Sequence, residues 1–172
     1  MPKLDQSAPR SLDAAAFSPL SLPATPSDLE RLQADAGDHN ADAQYLLGAL
    51  CEEGNSALGI EQDEDTAIRW YYLAAAKGHR DAQFSLAYRM HSQLLFEWPT
   101  PAYFSSAEVI RWYRAAAEQG HGEAAYQLYL EYLADLEPGD SEKAAHWLNV
   151  ATSLGYAPSS DDGAEPANSA DA

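Results

Sequence analysis

A phrase that recurs three times constrains this chain more than any other feature. It reads Ile68-Arg69-Trp70-Tyr71-Tyr72-Leu73-Ala74-Ala75-Ala76-Lys77-Gly78, then Ile110-Arg111-Trp112-Tyr113-Arg114-Ala115-Ala116-Ala117-Glu118-Gln119-Gly120. A divergent third copy reads Ala145-His146-Trp147-Leu148-Asn149-Val150-Ala151-Thr152-Ser153-Leu154-Gly155. Trp stands eight residues before Gly in every copy. Bulky residues in one turn and small ones in the next, on one helical stripe, let a neighbouring backbone come close. The closing Gly ends the helix, because it takes the left-handed conformation without a Cβ penalty.

A second phrase alternates with the first: Asp42-Ala43-Gln44-Tyr45-Leu46-Leu47, Asp81-Ala82-Gln83-Phe84-Ser85-Leu86 and Glu123-Ala124-Ala125-Tyr126-Gln127-Leu128. Ala and Leu lie four residues apart and share a helix face, with the aromatic on its flank. The leading acid sits in the first turn, where the helix dipole favours negative charge. The unit is therefore helix A, loop, helix B, Gly. Helix A recurs after 39 and then 42 residues, and the last two Trp residues are 35 apart. Fixed helices with a variable period place the length differences in the A-to-B loop. One such pair cannot bury its own apolar face and must stack on its neighbours. The pattern predicts an all-α fold, an α/α solenoid of about three helix-turn-helix repeats.

The stretches ADAQYLLGALCEEG, DTAIRWYYLAAAKGHRDAQFSLA and AEVIRWYRAAAEQGHGEAAYQL resemble the Sel-one-like repeat family, relatives of the tetratricopeptide repeats. The resemblance covers about Ala41 to Gly155. The third unit departs from it with Leu148 after Trp147 and Thr152 in place of the second Ala, which gives it the look of a terminal cap. The family's Leu-Gly pair survives at Leu47-Gly48, whereas Ala87 and Tyr129 replace that Gly in the later units. The resemblance implies that the A helices line the concave face of the stack.

Residues 1–26, rich in Pro, Ser and Ala, read as a disordered tail, and the acidic 157–172 as another. The repeat domain is predicted over 27–156, with repeat one at 41–78, repeat two at 79–120 and repeat three at 121–155. A capping helix over 27–36 starts at Ser27 or Asp28 and stops at Gly37, with Leu29, Leu32 and Ala36 as its apolar stripe. Leu29 lies eight before Gly37, which suggests a degenerate B helix. Asp63, Ser105 and Asp140 each stand seven before a Trp and are expected to cap the B helices. Between the A and B helices of repeat two the segment Phe96-Glu97-Trp98-Pro99-Thr100-Pro101-Ala102-Tyr103-Phe104 puts four aromatics beside two prolines. Such a segment serves as a lid on the core or as a contact patch.

The formal net charge of −17 disfavours phosphate backbones and anionic lipid and suits a basic protein partner. Cys51 is the single cysteine, so no internal disulfide can form, and it reads as a small core residue. No signal peptide or membrane span is evident, which leads us to expect a cytoplasmic protein; the sequence leaves its oligomeric state open, with a monomer favoured. No HExxH, GxSxG or P-loop pattern appears, so no catalytic residue, metal or cofactor is expected. His79 and His121 occupy one repeat position and read as turn residues. The run Glu61-Gln62-Asp63-Glu64-Asp65 lacks the alternating ligands of a calcium loop. Trp70, Trp112 and Trp147 read as inter-helix packing.

The expectation is a non-catalytic protein–protein interaction module, an adaptor or scaffold, holding a partner on a concave acidic surface. The alternative is an immunity or inhibitor protein that neutralises a basic toxin or enzyme encoded nearby. An enzyme regulator or hydrolase acting through carboxylates is a weaker third reading. The candidate contact residues are Gln44, Gln83, Tyr88, Tyr129 and Tyr132 on the A helices, with Trp98 and Tyr103 from the aromatic loop.

Overall fold

The computed structural model describes residues 22–95, 105–134 and 140–156. Among them are seven α-helices and no strand: α1 (Pro26–Gly37), α2 (Ala41–Glu53), α3 (Glu64–Ala75), α4 (Arg80–Leu95), α5 (Ser106–Glu118), α6 (Gly122–Ala134) and α7 (Asp140–Ser153). The A helices are α2, α4 and α6, and the B helices are α3, α5 and α7. Extensive contacts run between consecutive helices along the chain. That is the contact pattern of a solenoid, in which each unit rests on its neighbours. The fold is all-α and built from stacked helical hairpins, as the repeats predict.

The helix ends follow the sequence signals closely. Gly78, Gly120 and Gly155 all have positive φ. Beyond each, the next amide reaches back five residues, His79 to Ala74, His121 to Ala116 and Tyr156 to Ala151. This closes the last turn with orphan carbonyls satisfied. Asp63 caps α3 by accepting from the Thr66 amide at 3.1 Å, and Ser105 caps α5 by accepting from Glu108 at 3.3 Å. Asp140 is instead the first residue of α7, nearly buried, with Lys143 Nζ donating to it at 2.7 Å.

The capping helix differs from expectation at both ends. Thr25 is its N-cap, not Ser27 or Asp28, in a capping box with Asp28 and with Pro26 in the first turn. Gly37 does not stop it. His39 holds the left-handed position, φ 69°, and the Asn40 amide bonds the Asp35 carbonyl. The true register therefore aligns His39 with Gly78, two residues later than the Leu29–Gly37 spacing suggests.

The ring that fills each of the first two hairpins is the tyrosine after the tryptophan. Tyr71 and Tyr113 are 0% exposed. Trp70, Trp112 and Trp147 are only partly buried against the core. Trp112 meets Tyr72 of the preceding B helix edge-on at 6.3 Å, with Arg111 over its face at 4.7 Å. The tryptophans thus pack along the B layer, at its rim, and the inner volume belongs to the tyrosines. Gly48 is the reciprocal feature, because a Cβ there would lie 2.6 Å from the Tyr71 ring. The later units rebalance this pair in register: Ala87 with Tyr113, then Tyr129 with Leu148. The large ring passes from the B side to the A side in the third unit, where Tyr129 and Leu148 are both only partly buried.

Candidate interface on the A helices

The A helices are joined to the preceding repeat at their N-termini by residues that the patterns only partly announce. Asn40 caps α2, accepting from the Ala43 amide at 3.1 Å. At the same position His79 Nδ1 accepts from the Ala82 amide, and His121 Nδ1 from the Ala124 amide, both at 3.1 Å. An imidazole that accepts at Nδ1 carries its proton on Nε2. In His79 that nitrogen faces Asp42 at 3.3 Å, and in His121 it faces Asp81 at 3.9 Å. Each ring also stacks on the aromatic of the preceding A helix, His79 on Tyr45 at 4.6 Å and His121 on Phe84 at 4.3 Å. Burial lowers both pKa values, His121 to about 4, and outweighs the opposing pull of the carboxylates. Tyr156 continues the series, its ring 5.4 Å from Tyr126.

Gln44 and Gln83, expected at the exposed surface of the A helices, are instead buried. They are 1% and 5% exposed and sit beneath the A-helix surface. Gln44 Nε2 donates to the Ala36 carbonyl at 3.0 Å, and Gln83 Nε2 to the Ala75 carbonyl at 3.2 Å. Gln83 Oε1 accepts from Gln119 Nε2 at 2.7 Å. Each amide side chain ties an A helix to the last turn of the B helix before it. The third unit has Ala125 at this place. Polar character alone suggested exposure, and the carbonyl that each amide reaches, eight residues earlier, leaves no mark in the local pattern.

Tyr88, Tyr129 and Tyr132 are partly buried and reach the surface. Tyr88 lies 6.1 Å from Phe84 and carries the Arg89 guanidinium 5.5 Å from its ring centre. Tyr129 packs 5.6 Å from Tyr126. The Tyr132 hydroxyl accepts from Arg114 Nη2 at 2.8 Å, and Lys143 Nζ stands 5.2 Å from its ring. Trp98 and Tyr103 lie outside the described residues, as does the rest of the aromatic loop.

Two polar pairs cross between successive A helices, and the patterns did not reveal them. Glu52 of α2 pairs with Arg89 of α4, and Arg89 Nη1 is also 3.8 Å from Glu64. The Tyr71 hydroxyl donates to the other Glu52 oxygen from below. One repeat later His91 of α4 pairs with Glu131 of α6, Nδ1 to Oε1 at 2.7 Å. Counted from the leading acid of each A helix, Glu52 and His91 share one position and Arg89 and Glu131 share another. The signal was available as opposite polarity at these two positions in consecutive repeats. Tyr113 lies under the second pair, its ring 6.5 Å from His91, but its buried hydroxyl has no hydrogen-bond partner.

Among the described residues no group of three or more His, Cys, Asp or Glu is arranged to hold a metal ion. Cys51 is partly buried, and burial pushes its thiol pKa up, away from the reactive thiolate. Among the described residues no helix is long and apolar enough to cross a membrane.

The Sel1 repeat family model matches residues 41–79, 110–121 and 123–156. Among solved structures, a Sel1 repeat protein from Oxalobacter formigenes superposes with a TM-score of 0.62 at 27% identity, over 76% of this chain and 49% of that one. A protective antigen present in uropathogenic Escherichia coli strains, displaying an SLR fold, gives a TM-score of 0.61 at 25% identity. That match covers 76% of this chain and 26% of the antigen. The chain thus spans about half of the first relative and about a quarter of the second. No curated protein is a significant match to the sequence.

Proposed function

This chain is a Sel1 repeat protein, and from that premise we propose that it is a non-catalytic adaptor or scaffold whose A helices hold a basic segment of a protein partner. Repeats of this family serve in general as protein-interaction modules. The observation that carries the finer reading is the charge of the A layer. Its helices bear six carboxylates, Asp42, Glu52, Glu53, Asp81, Glu123 and Glu131, against two arginines. Both arginines are already engaged, Arg80 with Asp81 and Arg89 with Glu52. An acidic strip with tyrosines at its surface suits a cationic segment, through Coulomb attraction and cation–π contact. Tyr88, Tyr129 and Tyr132 are the aromatic anchors of this reading, and the concave side of the stack is where the segment lies.

The test is affinity capture with the full chain, followed by calorimetry on each purified partner with wild type and a Tyr88→Ala, Tyr132→Ala double variant. The proposal expects the double variant to weaken binding about tenfold or more, a loss of about 1.4 kcal/mol or greater. Unchanged affinity removes the A-helix tyrosines from the interface. The net charge of −17 also suits neutralisation of a basic toxin. Rescue of cells from a toxic product of a neighbouring gene distinguishes that role from a scaffold.

A further inference from the structure

The buried hydroxyl of Tyr113 marks a place where repeat two lacks something that repeat one has. In repeat one a carboxylate, an arginine and a tyrosine hydroxyl meet: Arg89 and Tyr71 both engage Glu52. Repeat two keeps the tyrosine, with Tyr113 at 0% exposure, and keeps a carboxylate, now Glu131 on the other A helix. It has no arginine at either position. His91 alone holds Glu131, leaving the Tyr113 hydroxyl unpartnered beneath them. Glu131 is nonetheless close enough for its charge to help burial push the Tyr113 pKa up. The pair is accessible, with side chains 28% and 18% exposed.

We propose that the notch formed by His91, Glu131 and Tyr113, with Tyr88 beside it, binds the guanidinium of an arginine side chain on the partner. The partner's arginine supplies the cation that Arg89 supplies to Glu52 one repeat earlier. His91 acts as a placeholder that swings aside, as a side chain already partly in solvent can do by a rotamer change. The guanidinium donates to the Glu131 carboxylate in the forked geometry that arginine offers and lysine does not. The Tyr113 oxygen accepts a further donor, and the Tyr88 ring, whose centre already lies 5.5 Å from the Arg89 guanidinium, borders the notch as a flat wall. This assignment rests on the reading of the A helices as the surface for a basic segment.

The experiment is an NMR titration of the full chain with three probes: N-acetyl-arginine methylamide, the corresponding lysine derivative and the uncharged citrulline derivative. The arginine probe is expected to shift the resonances of Tyr88, His91, Tyr113 and Glu131 saturably, with lysine weaker and citrulline inert. Glu131→Gln is expected to weaken the arginine response about tenfold or more. Tyr113→Phe, which keeps the buried ring, is expected to weaken it by a smaller factor. Equal responses to lysine and arginine, or an unchanged response in Glu131→Gln, overturn the notch. A parallel titration with penta-arginine separates the two levels of the argument. Shifts elsewhere on α2, α4 and α6 with none at His91 or Glu131 overturn the notch and leave the A-helix reading standing. No shift on any A helix overturns both.

Discussion

The same substitution at two equivalent positions is expected to destabilise the fold at one and to leave it unchanged or stabilised at the other. Tyr71 and Tyr113 occupy one register position, and both rings are fully buried. Replacing either by Phe keeps the ring and removes only the hydroxyl. In Tyr71 that hydroxyl donates to the partly buried Glu52 carboxylate, which Arg89 also holds. A hydrogen bond to a charged group contributes about 1.5–3 kcal/mol. Tyr71→Phe should therefore cost about 2 kcal/mol. In Tyr113 the hydroxyl is buried without a partner, and its removal relieves a desolvation penalty of about 1–3 kcal/mol. Tyr113→Phe should be neutral or stabilising by about 1 kcal/mol. For a chain of this size 1 kcal/mol corresponds to about 2–4 °C in Tm. Thermal melts should thus show Tyr71→Phe down by about 4–8 °C and Tyr113→Phe unchanged or up by about 2–4 °C. Urea titrations should move the midpoints the same way at unchanged slope. Equal losses in the two variants, or a larger loss for Tyr113→Phe, would refute the assignment of hydroxyl partners.

Four further outcomes follow from the geometry. Tyr113→Ala should cost about 3–5 kcal/mol in a urea titration, and Trp112→Ala clearly less, because that indole is only partly buried; the reverse order would return the tryptophans to the centre of the hairpins. His121 is neutral in the fold, its pKa lowered from 6.5 to about 4. The unfolded chain therefore takes up a proton first as pH falls, so this contribution is intact above pH 6.5 and is lost between 6.5 and about 4. At about 1.4 kcal/mol per unit the loss is about 3 kcal/mol, and it should vanish from the difference curve of His121→Asn, which keeps a capping acceptor. Gly48→Ala should cost about 1–3 kcal/mol by overpacking Tyr71, read as a lowered urea midpoint, despite the better helix propensity of Ala. Gln83→Ala removes two hydrogen bonds, a buried one to the Ala75 carbonyl and a partly buried one from Gln119, and should cost about 1–3 kcal/mol in the same titration, whereas an exposed contact residue would cost almost nothing.

The helices and their ends were legible because their chemistry is local. Gly78, Gly120 and Gly155 end helices by a backbone preference that needs no tertiary partner, and Asp63 and Ser105 cap by reaching three residues ahead. The bounds of the capping helix shifted by only one residue at each end, but its left-handed position lies two residues later than expected, at His39 instead of Gly37. Burial was less legible. The size of the indole drew attention to Trp112, yet the position one residue on faces the partner helix and takes the full burial. Gln44 and Gln83 read as surface residues because amides are usually exposed. Their buried role depends on a carbonyl eight residues earlier, which no local pattern displays. The A-helix pairs were invisible for a related reason. Glu52–Arg89 and His91–Glu131 join residues 37 and 40 apart, and their common logic appears only when the repeats are superposed.

The central claim is that the A layer is the working surface and the B layer is its support. Hydrogen exchange on the purified chain, free and bound to a purified partner, tests this most directly. The account predicts added protection in α2, α4 and α6, greatest around Tyr88 to His91 and Glu131, with α3, α5 and α7 little changed. Protection gained on the B helices, with the A helices unaltered, would contradict it.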